Sequence, residues 1–165
     1  MKKHDSMRGY FAFELYELMR KNKNIYLVFG DLGYGMLDRI REEYPDRCIN
    51  TGAAEQTMIG VAVGLALRGK IPVVYSITNF LLYRPFETIR NYIDYEKIPV
   101  KLVGGGRNKD YKHDGISHWS MDAKPILDCF PSIIQRWPVD KEEITTEFVR
   151  EFVYSKKPEF LSLIR

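Results

Sequence analysis

Residues 50–76 have the sequence NTGAAEQTMIGVAVGLALRGKIPVVYS. A helical pattern at 55–68 is almost purely apolar, a short strand-like run at 47–50 precedes it, and a second strand-like run follows at 72–76. A helix that joins two strands is typical of a βαβ unit, because parallel neighbours need a crossover connection. This stretch therefore predicts a parallel sheet.

The alternation of strand and helix continues on both sides of this stretch. Further strand-like runs are found at 25–29, 100–104, 132–137 and 160–164. Further helical patterns are found at 10–20, 36–43, 86–95, 124–128 and 141–154. Because right-handed crossovers prevail, helices should cover both faces of the sheet. We expect an α/β fold with three layers and a mostly parallel sheet, formed by residues 1–165 as a single domain.

The composition excludes several classes of protein. Of 165 residues 45% are hydrophobic, which is enough for one core without disulfide or metal staples. The 25 basic and 22 acidic residues are interspersed, so neither nucleic acid nor a membrane is expected as a partner. No apolar run approaches the roughly 20 residues of a membrane span, and no signal peptide is recognisable, so we expect a cytoplasmic protein. Two distant cysteines and three histidines indicate neither a disulfide framework nor a metal site.

Ligands of open α/β sheets bind outside the carboxyl ends of the strands, so the segments after the predicted strands are the candidate sites. Residues 30–35, GDLGYG, have a GxxGxG spacing that is not the one typical of a dinucleotide-binding fold. This loop is either a phosphate cradle or a tight turn in which Asp31 accepts backbone hydrogen bonds or meets a neighbouring subunit.

Glu55 lies at the predicted N-terminus of the apolar helix. The helix dipole favours an acid there by about 0.3–1 kcal/mol, so a purely structural role is one interpretation. A helix this apolar is expected to be buried, however. It would bring the carboxylate into a partly desolvated place where its protonation can be tuned.

Aromatic and polar side chains follow the next two strands. Phe80, Tyr83 and Phe86 are spaced three residues apart at the entry to a predicted helix, which Pro85 indicates as its first turn. These rings form either core or a wall for a flat heterocycle. The long loop at 104–122 carries two histidines, which are suited to proton transfer or are simply exposed. Arg107 in the same loop is a candidate contact for a phosphate or carboxylate of a substrate.

Three of these segments together resemble the pyrimidine-binding domain of thiamine diphosphate enzymes, in the branch that contains transketolase, deoxyxylulose-phosphate synthase and the pyruvate dehydrogenase β subunit. Ala54-Glu55-Gln56 is similar to the family's AEQ motif, residues 79–90 to its aromatic cofactor segment, and 114–118, DGISH, to its DGxTH loop. The resemblance covers almost the whole chain. Arg84 and Pro85 depart from the transketolase pattern.

The resemblance implies a role for each candidate residue. Glu55 would hydrogen-bond a ring nitrogen of the cofactor's aminopyrimidine and favour the imino tautomer that deprotonates the thiazolium carbon. Phe80, Tyr83 and Phe86 would form the wall against the pyrimidine, with Tyr83 at the stacking position. His118 would assist proton transfer or hold a substrate oxygen. His113 and Asp114 are further candidates for substrate contact.

The family's GDG motif, which binds the diphosphate and Mg²⁺, does not occur in the sequence, and neither does the third domain of transketolase. The resemblance therefore implies a split enzyme, in which a separate subunit with the GDG motif supplies the Mg²⁺ ligands, and this chain supplies none. We expect a heterotetramer with two of each subunit that moves a ketol or acyl unit on a sugar or keto acid.

Three alternatives stay open. The chain could belong to a split 2-oxo acid decarboxylase or dehydrogenase component, whose reaction is decarboxylation rather than transfer. It could be a non-catalytic binding or regulatory domain that has kept the fold and lost the chemistry. It could also be a plain nucleotide-binding α/β domain, which would bind NAD tightly as an isolated chain.

Overall fold

The protein, described here by a computed structural model that covers residues 3–165, contains one six-stranded sheet. All the strand pairs are parallel. The strands are β1 (Ile25–Phe29), β2 (Cys48–Asn50), β3 (Ile71–Ile77), β4 (Lys101–Gly105), β5 (Ile134–Arg136) and β6 (Glu159–Leu163). Their order across the sheet is β2-β1-β3-β4-β6-β5. The predicted parallel sheet is confirmed.

Helices connect the strands. They are α1 (Met7–Lys21), α2 (Asp38–Glu43), α3 (Glu55–Leu67), α4 (Thr78–Tyr83), α5 (Phe86–Thr88), a π-helix (Ile89–Tyr95), α6 (Ala123–Leu127) and α7 (Thr146–Tyr154). Short 3₁₀ turns occupy Pro45–Arg47, Lys112–Asp114, Ile116–His118 and Lys141–Glu143.

Two apolar cores lie on opposite faces of the sheet, as a three-layer α/β fold requires. Leu27 faces the core formed with α1 and α7, whereas its neighbour Val28 faces the core formed with α3 and the π-helix. Successive strand residues point to opposite faces, so strands covered on both sides are apolar throughout. Every residue of β4 and β6 is buried.

Three details differ from the sequence predictions. Regular helix begins at Thr78 rather than at Pro85, because β3 runs directly into α4 and the proline lies at the break before α5. The predicted helix at 141–154 is divided, because Asp140 and Thr145 each cap a separate N-terminus. The helix α3 is buried on one side only, and Leu67 is 70% exposed.

The topology places one crevice at the carboxyl edge of the sheet. From β1 the chain moves to β2 on one side, whereas from β3 it moves to β4 on the other. Such a reversal of direction leaves a gap between the loops that follow the two strands, and ligands of open α/β sheets bind there. The segment after β1, the N-terminus of α3 and the start of α4 all meet at this edge.

Candidate active site

The carboxylate of Glu55 is buried at the first residue of α3, and the residue is only 3% exposed. A turn with Gly52 at φ +67° leads into the helix, and the Asn50 side chain accepts a 2.9 Å hydrogen bond from the Gly52 amide. The Oε2 atom of Glu55 accepts a 2.8 Å hydrogen bond from Nη1 of Arg84. Among residues 3–165, Arg84 is the one cation within 4 Å of this carboxylate.

The aromatic segment adjoins Glu55 through the same arginine. The guanidinium carbon of Arg84 lies 3.9 Å from the centroid of the Phe80 ring, one helical turn before it. The Phe80 ring in turn meets the His118 ring edge to face, with 4.9 Å between centroids. Glu55, Arg84, Phe80 and His118 therefore form a continuous row across the crevice.

The loop that carries His118 is held against α4. The Asn79 amide donates to the Ser117 carbonyl oxygen at 3.2 Å, and the imidazole Nδ1 of His118 lies 3.0 Å from the Ser117 hydroxyl. The ring of Tyr111 lies beyond it, 6.1 Å from the His118 ring. These contacts leave Nε2 of His118 without a hydrogen-bond partner among the described residues.

A cavity of about 670 Å³ opens between α4 and the 116–125 segment. Its lining is mainly apolar and consists of Asn79, Phe80, Tyr83, Arg84, Ile116, Ser117, Trp119, Met121, Asp122 and Pro125. Desolvation raises the pKa of Tyr83 to about 12, and the nearby Asp122 carboxylate acts in the same direction. A cavity of this size and polarity suits a flat, partly apolar ligand.

Of the predicted site residues, Phe80 and Tyr83 line this cavity, whereas Glu55 and His118 contact its lining residues Arg84 and Phe80 without lining it themselves. The remaining predicted residues lie elsewhere. The Phe86 ring packs on Phe130 at 4.9 Å within the core. The Arg107 guanidinium turns towards β6, where it donates to the hydroxyl and carbonyl oxygens of Ser162 at 3.0 and 2.8 Å, and burial lowers its pKa. His113 and Asp114 are exposed on the Lys112–Asp114 turn.

Sequence reasoning missed the contact that Arg84 makes with Glu55. Arg84 stood out only as a departure from the transketolase pattern. Trp119 and Asp122 were also missed as lining residues, although both lie within the polar loop at 104–122. The one signal available was the spacing of four residues between Phe80 and Arg84, which puts both on one face of a helix once the helix is known to start at Thr78.

The glycine-rich loop after β1 forms a turn. Gly33 and Gly35 have φ values of +83° and +76°, which favour glycine. The Asp31 carboxylate accepts hydrogen bonds from the Tyr34 hydroxyl at 2.5 Å and the Asn50 amide at 3.4 Å, and the Tyr34 bond lowers the pKa of Asp31. These partners are side chains, so the expected backbone donors are replaced.

Within residues 3–165, no three His, Cys, Asp or Glu side chains are grouped so that they could hold a metal ion. Over the same residues, the helices are too short or too polar for any of them to span a bilayer.

Comparison with known proteins places the chain in a family. Residues 4–165 match the family described as the pyrimidine binding domain of transketolase. A protein of Methanocaldococcus jannaschii named as a transketolase C-terminal section is 32% identical over 163 residues, which are 98% of this chain and 51% of that protein. A 6-deoxy-6-sulfo-D-fructose transketolase subunit of Clostridium sp. (strain MSTE9) is 30% identical over 96% of this chain and 49% of its own length.

A solved structure points the same way. The chain is similar to a structure described as a split gene transketolase, inactive beta4 tetramer, with a TM-score of 0.81 and 27% identity over 98% of this chain and 52% of that one. The chain thus spans about half the length of the relatives it matches. Because the family match extends over nearly all its residues, this chain belongs to the family of transketolase pyrimidine-binding domains.

Proposed function

We propose that this chain is the pyrimidine-binding subunit of a split, transketolase-type transferase that uses thiamine diphosphate. The observation that carries the proposal is the buried Glu55 carboxylate, in one row with Phe80 and His118 at the carboxyl edge of a parallel sheet. Relatives named as a section or a subunit of a transketolase support the division of the enzyme between chains.

The donor set fits an aminopyrimidine. Glu55 Oε2 already accepts from a planar cation, and a protonated or amino-substituted pyrimidine presents N–H donors in a similar plane. Phe80 offers an aromatic face, and the cavity beside it is large enough for a heterocycle. Gly30 follows β1 and, having no side chain, leaves the space beside Glu55 Oε1 open. A β-carbon at this position would lie 3.8 Å from that oxygen.

Each side chain has a distinct task in this proposal. When bound, the cofactor supplies a carbanion nucleophile that attacks a carbonyl carbon. Glu55 holds a proton at the pyrimidine ring nitrogen, and its burial strengthens that hydrogen bond. Phe80 and Tyr83 bind the ring and exclude water from it. His118 moves a proton to or from a substrate oxygen through its free ring nitrogen.

The exposed side of α3 supports the proposal that a partner subunit binds this chain. The helix sequence EQTMIGVAVGLAL is apolar, yet Gly60, Gly64 and Leu67 are exposed in the isolated chain. A β-carbon at either glycine would meet no atom within 4 Å, so the face is open to close approach. Apolar surface of this kind is typical of an interface. We place there the subunit that carries the GDG motif and supplies the diphosphate and Mg²⁺ contacts, in a heterotetramer with two of each.

The substrate proposed is a sugar or small keto acid, from which a ketol or acyl unit is moved. The test is co-purification of this chain with a GDG-containing subunit encoded beside it, followed by assays of ketose cleavage and of 2-oxo acid decarboxylation. We expect cleavage in the presence of Mg²⁺ and thiamine diphosphate. Decarboxylation without cleavage would replace the transferase by the decarboxylase alternative.

A matched pair of variants tests the role of Glu55. Glu55→Gln should lower the activity of the reconstituted complex by at least about a hundredfold, the usual size of an acid–base contribution. Glu87→Gln, an exposed acid in the same aromatic segment, should leave it unchanged. Full activity of Glu55→Gln would favour a non-catalytic role for this carboxylate. Tight, Mg²⁺-dependent binding of thiamine diphosphate by this chain alone would contradict the split site.

A further inference from the structure

Arg84 occupies two of the contacts that the proposed function assigns to the cofactor ring, those with Glu55 and Phe80. Its Nη1 donates to Glu55 Oε2 at 2.8 Å, and its guanidinium carbon lies 3.9 Å from the Phe80 centroid. A guanidinium is a flat, delocalised cation that donates N–H groups along its edge and stacks on aromatic faces. An aminopyrimidine held by a carboxylate is likewise flat and presents the same kind of N–H donor edge.

The negative charge of Glu55 explains why Arg84 lies beside it. A buried carboxylate without a partner is costly, and Glu55 is 3% exposed with no other cation within 4 Å among residues 3–165. Arg84 therefore compensates Glu55 while the ring is absent. When a pyrimidine donates a hydrogen bond to Glu55, the ring becomes the partner of the buried carboxylate. Arg84 is then no longer needed to compensate its charge.

The position of Arg84 allows it to leave. It follows the last residue of α4, its side chain is 46% exposed, and it lines the cavity beside Phe80. A rotation about its side-chain bonds would move the guanidinium into the cavity or into solvent without any change in the backbone. Glu55, by contrast, is fixed at the start of α3.

We propose that Arg84 occupies the place of the cofactor's aminopyrimidine while the site is empty. The aminopyrimidine must displace Arg84 from Glu55 and Phe80 in order to bind. The inference rests on the proposed function and adds a competitor within the same chain. Competition of this kind lowers the apparent affinity in proportion to the fraction of subunits in which the place is free. It also prevents the carboxylate from being buried and uncompensated in the empty subunit.

Binding of a free aminopyrimidine tests this without the partner subunit. The probe is 4-amino-5-hydroxymethyl-2-methylpyrimidine, titrated into the full chain and followed by NMR. Arg84→Gln should bind it on the order of tenfold more tightly than the unaltered chain, because the competitor is gone. Arg90→Gln, an exposed arginine of the same segment that contacts Asn91, should bind like the unaltered chain.

Two additional measurements separate displacement from a general loosening of the fold. Arg84→Lys keeps a cation beside Glu55 but lacks the planar fork, so it should fold normally and still bind the probe more tightly. In Arg84→Gln, millimolar guanidinium chloride should weaken probe binding by refilling the vacated place, whereas the same concentration of sodium chloride should not. A purely structural arginine would not produce this difference.

The outcomes distinguish this inference from the proposed function. If Glu55→Gln removes probe binding but the Arg84 variants bind no better than the unaltered chain, the pyrimidine site stands and the displacement is wrong. If Glu55→Gln leaves the probe affinity of Arg84→Gln unchanged, the ring does not reach Glu55 and the proposed function fails. If no variant binds the probe at millimolar concentration, Arg84 is not the group that prevents pyrimidine binding by the isolated chain. The inference is then overturned.

Discussion

The hydroxyl of Thr78 donates a 2.6 Å hydrogen bond to the carbonyl oxygen of Gly106, and the same oxygen accepts a 3.3 Å bond from Ser120. Thr78 is the first residue of α4, and Gly106 follows β4. This bond therefore ties the helix that carries Phe80 to the loop that carries His118. Together with the bond from Asn79 to the Ser117 carbonyl oxygen, it holds the two rings near each other.

Thr78→Val should destabilise the chain by about 1–3 kcal/mol, because valine has the same shape but cannot donate, and Thr78 is buried. Urea unfolding measures the loss. Thr57→Val, at an exposed position of α3, is the control and should change the free energy of unfolding by less than about 0.5 kcal/mol. Equal effects of the two substitutions would show that the bond to Gly106 contributes nothing.

Gly106→Ala should unfold the loop locally or displace it. Gly106 has φ +86°, and a β-carbon there would overlap the Tyr111 ring. Gly115→Ala is a matched control, because φ is +80° but no atom lies within 4 Å of the added carbon. Backbone strain of about 1–3 kcal/mol is common to both variants, so the excess loss in Gly106→Ala measures the clash with Tyr111. Chemical shifts of the Tyr111 ring and of the amides at 109–111 should move in Gly106→Ala and stay in place in the control. Equal losses of stability in the two variants would mean that the Tyr111 ring moves aside at no cost in free energy.

Lys101→Met tests a buried charge at the opposite edge of the sheet. Lys101 is 1% exposed, and burial lowers its pKa to about 8, although Glu159 nearby acts in the opposite direction. Arg136 and Lys156 are the other cations near it, and Arg136 retains its 2.5 Å bond to Glu159 in the variant. Because the charge is disfavoured by burial, we expect Lys101→Met to unfold at higher urea concentration than the unaltered chain at pH 7.

The pH dependence follows from the same shift. Between about pH 8 and the ordinary value of 10.5, the unfolded chain holds a proton that the folded chain has released. The free energy of unfolding therefore gains a contribution as pH rises through this window and loses it as pH falls towards 8. The advantage of Lys101→Met over the unaltered chain should shrink between pH 7.5 and roughly pH 9.5. Lys124→Met, at an exposed position, should show no such trend. A constant difference across the window would mean that Lys101 titrates normally.

Gly60→Ala and Gly64→Ala separate the stability of the chain from its association. Each glycine is in an exposed part of α3, and an added β-carbon meets nothing, so alanine should stabilise the isolated chain by up to about 1 kcal/mol. The same methyl groups would obstruct a partner that packs closely on this face. We expect weaker association with the GDG-containing subunit in sedimentation experiments. Unchanged association would place the interface elsewhere.

The α/β fold was predictable because its signals are local. Apolar strand-like runs and the helical patterns between them are visible in the sequence, and the right-handed crossover rule converts their order into a parallel sheet. The boundaries were less accurate at 78–95 and 141–154, where one run contains more than one helix. There the caps at Asp140 and Thr145, and the direct passage from β3 into α4, decide the outcome.

The sequence by itself determined the kind of fold and the three segments that meet at the carboxyl edge of the sheet, since residue order and short motifs carry that information. Only the tertiary structure decided which side chains converge. It turned Arg107 towards Ser162, packed Phe86 on Phe130 and set Arg84 between Glu55 and Phe80. Such contacts join residues far apart in the chain, and they depend on the packing of whole elements against one another, which no local pattern records.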